Sequence, residues 1–219
     1  FLTAIGRVHS GDQARAAVEE AASAFETFNL DIMYALPGQT ELDLARDLDI
    51  ALSYQPPHIS IYHLTIEPNT YFAKYPPQVP EDDTAYDMLD RITATTGQAG
   101  MQRYEISAYA RDGHQCFHNT NYWQFGDYLG IGAGAHGKLS FAHRIVRQVK
   151  IRDPQRYMDA ALAGRALASD TDVRRKDLPF EYMLNALRLR GGFALQDYLD
   201  RTGLPISTIR PALDAAQRK

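Results

Sequence analysis

Between residues 11 and 110 the chain alternates between two hydrophobic periods, and that alternation constrains its fold more than any other feature. Residues 11–28 place Ala14, Ala17, Val18, Ala21, Ala22 and Phe25 at spacings of three and four, one face of a helix. Ser10 or Asp12 can cap its start. Residues 29–36 are a short apolar run closed by Pro37-Gly38, which reads as a buried strand and a turn. Thr40-Glu41-Leu42-Asp43 then opens a second helix, its carboxylates favouring the N-terminal dipole. Leu44, Leu48, Ala51 and Leu52 carry its apolar face to Ser53. The unit repeats. Pro56-Pro57 precede a strand over 58–66, and a proline-rich loop at 75–80 leads to an acidic helix start at Glu81-Asp82-Asp83. A third strand follows over 103–110. Helix and strand in alternation, joined by short connections, predict an α/β fold with parallel strands. In a barrel of such units, polar residues near the strand C-terminal ends point toward an active-site mouth. Asp31 falls early in its strand, so that placement is less direct for it.

Beyond residue 112 the pattern changes. The stretch His114-Gln115-Cys116-Phe117-His118-Asn119-Thr120-Asn121-Tyr122-Trp123 holds the only cysteine, the only tryptophan and two of the seven histidines. A glycine run, Gly130-Ile131-Gly132-Ala133-Gly134-Ala135-His136-Gly137, follows it. Residues 138–141 and 144–151 read as two short strands around Ala142-His143, and Asp153-Pro154 starts a helix that runs to about Gly164. A polar stretch at 169–177 precedes three helices, over about 179–189, 195–202 and 205–217, with Gly191-Gly192 and Gly203 ending the first two. Three segments result: 1–112, 113–168 and 169–219.

Composition excludes several function classes. The formal net charge is −4, which gives no support to a nucleic-acid partner. No apolar run approaches the ~20 residues of a membrane span. One cysteine cannot staple a fold, so a reducing, cytoplasmic compartment is expected. Nor can one thiol build an iron–sulfur or structural zinc site of several thiolates. Position 1 is Phe, and the first residues read like the middle of a domain, so a piece of a longer protein is expected.

The candidate sites start out ambiguous. Gly132-x-Gly134-x-x-Gly137 fits the dinucleotide fingerprint in letters, but that fingerprint needs a helix after it, and the downstream residues are β-like. The alternatives are a turn where chains pass closely or a backbone that approaches a ligand. On an extended chain His114, Cys116 and His118 would share one face, yet structural zinc wants four ligands. A heme iron needs only one His or Cys, and spacing neither excludes nor establishes that. Tyr62, Tyr104, Tyr109 and Tyr122 would line a cavity or a core equally well. Asp31 and Glu105 lie among apolar neighbours and need partners. The last three helices resemble a helix-turn-helix, which the acidic balance disfavours as a DNA reader.

Four segments taken together are more specific. Leu2-Thr3-Ala4-Ile5-Gly6-Arg7-Val8-His9, Asn29-Leu30-Asp31-Ile32-Met33-Tyr34-Ala35-Leu36-Pro37-Gly38-Gln39-Thr40, Leu64-Thr65-Ile66-Glu67-Pro68-Asn69-Thr70 and His118-Asn119-Thr120-Asn121-Tyr122-Trp123 resemble, in this order, the HemW-type radical-SAM heme chaperones. These are relatives of oxygen-independent coproporphyrinogen III oxidase. The resemblance covers essentially the whole chain. It implies the second half of a partial (β/α)6 barrel, a small β extension and a helical, winged-helix-like tail. It implies S-adenosylmethionine and a [4Fe–4S] cluster as cofactors, the cluster held by a three-cysteine motif that this sequence lacks. Arg7, Asp31 and Thr65 match S-adenosylmethionine contacts, Asp31 on the ribose. His118, Asn119, Tyr122 and Trp123 belong to the H-N-x-x-Y-W motif linked to heme, with His118 the implied axial ligand and Cys116 the alternative. The implied function is to hold heme for heme-accepting proteins, a membrane-associated acceptor among them. The alternative is oxidative decarboxylation of a porphyrinogen. Without cluster ligands, this chain alone is expected to do no radical chemistry.

Overall fold

The computed structural model describes residues 1–218, which form two compact units, residues 1–116 and residues 117–218. Each is built around its own sheet.

In the first unit a short 3-10 turn, Thr3–Ile5, ends at Gly6 and leads to α1 (Gly11–Ala24). Ser10 caps α1: its hydroxyl accepts from the Gln13 amide, and the Gln13 side chain accepts from the Ser10 amide at 2.8 Å. Strand β1 (Asn29–Tyr34) leads to α2 (Glu41–Ser53), which has the same reciprocal cap through Thr40 and Asp43. Then follow β2 (His58–His63), the single turn α3 (Tyr71–Lys74), α4 (Asp82–Gln98), β3 (Gln102–Arg103) and β4 (Ala108–Ala110). The sheet order is β1-β2-β4-β3. Strands β1 and β2 are parallel, with Asp31 opposite Ser60 and Tyr34 opposite His63.

The expected third strand departs from the parallel pattern. It is split in two, and β4 runs antiparallel to both β2 and β3. The α4 crossover does deliver β3 in the sense of β2, but one place further out. A turn through 104–107 then folds β4 back between them. Arg103 holds that turn, its Nε donating to the carbonyl of Ile106 at 3.0 Å.

One face of this sheet packs on α2 and α4. Leu44 and Leu48 of α2 and Met88 and Ile92 of α4 are fully buried against Ile59 and Ile61 of β2. The helical spacing of those residues produces this layer. Helix α1 buries none of its residues fully, and Ala14, Val18 and Ala21 of its alanine-rich face are half-buried.

The second unit opens with α5 (Phe117–Trp123). The hairpin β5 (His136–Phe141) and β6 (Arg144–Lys150) turns at Ala142-His143, where the sequence places it. Helix α6 (Pro154–Leu162) is capped by Asp153, which accepts from the Arg156 amide at 2.9 Å. Strand β7 (Leu167–Asp172) pairs antiparallel with β6, overlaps the polar stretch at 169–177, and crosses the expected segment boundary at residue 168. All six of its residues are exposed, so no hydrophobic alternation marks it. Its ladder to β6 selects the strand. Helices α7 (Leu178–Ala186), α8 (Leu195–Thr202) and α9 (Arg210–Gln217) complete the unit, with a 3-10 turn at Ile206–Thr208 before α9. Gly203 ends α8 in the left-handed conformation, φ 63°. Tyr182 centres the second core, with edge-on contacts to Phe125, Phe193 and Tyr198. Burial pushes its phenol up to about 12. No described helix is long and apolar enough to cross a membrane.

Because Leu48 is fully buried, Leu48→Ala should cost about 2–5 kcal/mol, as core truncations of this kind do. A urea titration that shifts the midpoint at constant m-value would show it. An unchanged midpoint would contradict the packing described for α2.

Candidate functional site

The motif region is helical rather than extended. Phe117–Trp123 forms α5, so the alternation that would put His114, Cys116 and His118 on one face does not apply. Among the described residues no group of three or more His, Cys, Asp or Glu comes together as a metal site. His118 is exposed, and Asn119, Tyr122 and Trp123 are half-buried. On a helix His118 and Tyr122 stack along one face, as do Asn119 and Trp123. The Tyr122 and Trp123 rings meet edge-on at 4.8 Å, and the Tyr128 ring lies 5.1 Å from Tyr122. The Arg188 guanidinium covers the Trp123 ring at 4.3 Å, so that ring is occupied by a cation from the same unit. Asn121 is structural: its amide donates to the Asp127 carbonyl at 3.0 Å. A Cβ at Gly126 would come within 2.0 Å of the Asn121 side chain, which only glycine permits.

The glycine run resolves as a close chain crossing. A Cβ on Gly130 would stand 2.3 Å from the His136 carbonyl oxygen, and one on Gly137 would meet Gly130 and Tyr128 backbone atoms at 3.1 and 3.3 Å. Tyr128 and Lys138 exchange backbone hydrogen bonds at 3.0 Å across it. Gly132 and Gly134 have φ of 107° and 71°. A strand follows, so no helix N-terminus faces a pyrophosphate here.

Lys138 fixes this crossing. Its side chain is 1% exposed, and Nζ donates at 2.9 Å to each of the Phe125 carbonyl, the Asp127 carboxylate and the Ser140 hydroxyl. All three ammonium protons are used. Burial lowers the Lys138 pKa, against the opposing pull of Asp127. Asp127 also accepts from the Ser140 amide and hydroxyl. Burial works to raise its pKa, but the bonds from Ser140 and Lys138 outweigh that and hold the carboxyl below its ordinary value.

Beside the crossing lies an open groove of about 680 Å³, inside the roughly 300–1,000 Å³ range of ligand sites. Tyr122, Tyr128 and His136 line one part of it, and Lys176, Phe180 and Leu184 another. Arg147 anchors its floor. It donates to Glu181 through Nε at 3.2 Å and Nη2 at 2.6 Å, and to the Tyr128 hydroxyl at 3.0 Å. Burial opposes the Arg147 charge, yet Glu181 more than offsets it and raises its pKa. Burial, and then the adjacent Tyr122 hydroxyl, raise the Tyr128 phenol. Tyr128, His136, Phe180 and Lys176 were not singled out as site residues from the sequence. They come from separate elements with no common spacing, and only the fold assembles them.

In the first unit, a polar row runs across the sheet face opposite α2 and α4. The Asn29 amide donates to Asp31 Oδ1 at 2.7 Å, and its carbonyl oxygen accepts from His58 Nδ1 at 2.6 Å and from the Ser60 hydroxyl at 3.1 Å. The Asn29 oxygen can only accept, so Nδ1 carries the imidazole proton and Nε2, 2.8 Å from the Tyr104 hydroxyl, is left to accept. Burial depresses the His58 pKa, with the Asp31 carboxylate opposing. The Cys116 backbone amide donates to the Tyr104 hydroxyl at 3.3 Å. Arg7, Asp31 and Thr65 are all exposed, and among the described residues no hydrogen bond or ion pair joins them. Thr65 lies two residues beyond the end of β2, whereas Asp31 pairs with its middle.

No family model matches the chain. It is nevertheless homologous to proteins named heme chaperone HemW. It is 44% identical to the one from Escherichia coli and 45% identical to the one from Haemophilus influenzae, in each case over 98% of this chain and 56% of the relative. It is 30% identical to the one from Bacillus subtilis, over 97% of this chain and 57% of the relative. The chain therefore spans a little over half the length of these relatives. Its fold is similar to that of coproporphyrinogen III oxidase (HemN) from Escherichia coli, a radical SAM enzyme, with a TM-score of 0.73 over 94% of this chain and 50% of that one. At 17% identity that likeness concerns the fold, and places this chain in the α/β class.

The Asp127 cluster carries a pH signature. A carboxyl whose folded pKa lies below its unfolded value of ~3.9 stabilises the fold above that value. The contribution is lost as pH falls through the folded pKa. Asp127→Asn should therefore flatten the acid limb of a stability-against-pH curve below about pH 4. Identical limbs for the two proteins would remove this role.

Proposed function

We propose that this chain, a homologue of proteins named heme chaperone HemW over nearly all its length, is the heme-holding part of a protein that passes heme to acceptor proteins. The homology carries the reading, and the aromatic cluster of Tyr122, Trp123 and Tyr128 around α5 supports it. Heme is flat, apolar across its faces and ligatable at its centre. The Tyr122 and Tyr128 rings, which line an open groove, suit such a molecule. His118 opens the motif, one helical turn before Tyr122, and is the axial ligand that the resemblance implies, with Cys116 the alternative. Asn119 shares the motif without a separate role. The segment from residue 169 onward would be the winged-helix-like tail, and residues 1–112 the second half of a partial (β/α)6 barrel.

S-adenosylmethionine and the [4Fe–4S] cluster enter this proposal unequally. Asp31 spends one carboxylate oxygen on Asn29 and keeps the other on an exposed face, which fits a ribose hydroxyl pair. Arg7 and Thr65 are the further proposed contacts. The cluster does not fit, since one cysteine cannot supply three thiolates. No step of the function is assigned to it in this chain. The likeness to coproporphyrinogen III oxidase favours porphyrinogen decarboxylation as a second reading, to be sought in an intact, cluster-loaded protein.

Titrating hemin into the chain should shift the Soret band and saturate near one equivalent, with His118→Ala weakening the shift. No spectral change with the unmodified chain would sink the heme-holding reading. Anaerobic reconstitution with iron and sulfide should yield no [4Fe–4S] absorption from this chain alone. A cluster band that persisted after desalting would contradict that.

A further inference from the structure

Strand alternation puts Asn29 and Asp31 on one face of β1, and the parallel register sets His58 and Ser60 opposite them on β2. With Tyr104 these side chains form one hydrogen-bonded row, and its charged end dictates the direction of every proton in it. The Asp31 carboxylate has no proton to give, so the Asn29 group 2.7 Å from its Oδ1 is the amide nitrogen. A reversed amide would set two oxygens against each other there. The Asn29 oxygen therefore points the other way, where it receives His58 Nδ1–H at 2.6 Å and the Ser60 hydroxyl at 3.1 Å. His58 Nε2 is left to accept from the Tyr104 hydroxyl at 2.8 Å, and the Tyr104 oxygen accepts from the Cys116 amide at 3.3 Å.

The row runs from the interior of the unit to its surface. His58, Ser60 and Tyr104 are buried, whereas Asn29 and Asp31 are exposed. One amide thus ties a buried anchor to an exposed carboxylate. Burial does not select an amide at position 29, but its partners on both sides do. An aspartate without such a tie turns freely about two bonds. With Oδ1 held by Asn29, Oδ2 faces one direction, and among the described residues no hydrogen bond engages it. A carboxylate oxygen fixed in this way is a ready acceptor for a sugar hydroxyl. Because the side chain is ordered beforehand, its ordering is not charged against the affinity for the sugar.

We infer that Asn29 is a positioning residue for a nucleoside ribose: it locks the Asp31 carboxylate in the direction from which it accepts the 2′-hydroxyl, and His58 is the buried anchor that sets the Asn29 amide. This rests on the reading of Asp31 as a ribose contact and adds the residues that orient it.

The test titrates adenosine and 2′-deoxyadenosine into the full chain and into its Asn29→Asp and Asp31→Asn variants, followed by ligand-observed NMR. The parent chain should prefer adenosine. Asn29→Asp keeps an acceptor for His58 Nδ1 and Ser60 and removes only the donor to Asp31. It should lower adenosine affinity by about tenfold and leave 2′-deoxyadenosine affinity as in the parent chain, whereas damage to the fold would weaken both. Asp31→Asn should erase the same preference. The nitrogen shifts of the His58 imidazole give a check that needs no ligand: Nδ1 should carry the proton in the parent chain, and a neutral Nε2–H ring would overturn the inference. If Asn29→Asp keeps the full preference for adenosine, the inference is overturned while the Asp31 contact stands. If Asp31→Asn keeps it, or the parent chain shows none, both fall.

Discussion

The second unit depends on one buried ammonium. Lys138 is 1% exposed, and its three protons go to Phe125, Asp127 and Ser140. The Phe125 ring lies 4.2 Å beneath the same charge and packs edge-on against Tyr182 in the core. A charge removed from water this thoroughly is tolerable only because every proton has an acceptor and one acceptor is ionic. The bonds join three elements. They fix the chain leaving α5 to the start of the β5–β6 hairpin, and through Phe125 they fix both to the helical core. Tyr128 and His136 face the same groove because this junction holds the segments on either side of the glycine crossing.

The glycines belong to that junction. At Gly130 an added methyl would collide with the His136 carbonyl, and at Gly137 it would sit tightly against the Gly130 and Tyr128 backbone, so the crossing is close. The glycine-rich run thus serves packing, and its resemblance to a nucleotide-binding fingerprint is one of letters. The charged groups around the groove are sorted by pairing. Arg147 and Glu181 neutralise each other at its floor, leaving an apolar wall with histidine and lysine at its edge.

Much of the fold was legible from residue order. Helices α1, α2 and α6 start at the capping residues Ser10, Thr40 and Asp153, and α8 stops at Gly203, because caps are local chemistry. The β5–β6 hairpin was legible for the same reason. Strand β7 was not, since its six exposed residues carry no alternation and only the ladder to β6 defines it. The reversal of β4 was not legible either, because strand direction is set by a turn at 104–107 that no periodicity announces. At the candidate site, Tyr122 and Trp123 stood out by type and by resemblance. His136 was visible only as a letter in a glycine run, and Phe180 and Lys176 only as part of a polar and helical tail. What joins them is tertiary placement.

The most direct measurement of where the macrocycle sits is an amide chemical-shift map of the labelled chain during titration with gallium protoporphyrin IX, a diamagnetic analogue of hemin. Ring-current shifts are expected to concentrate on residues 118–123 and 128, with little change on the strands of the first unit. Shifts centred on the first unit, or scattered over the surface without saturation, would contradict the heme-holding reading.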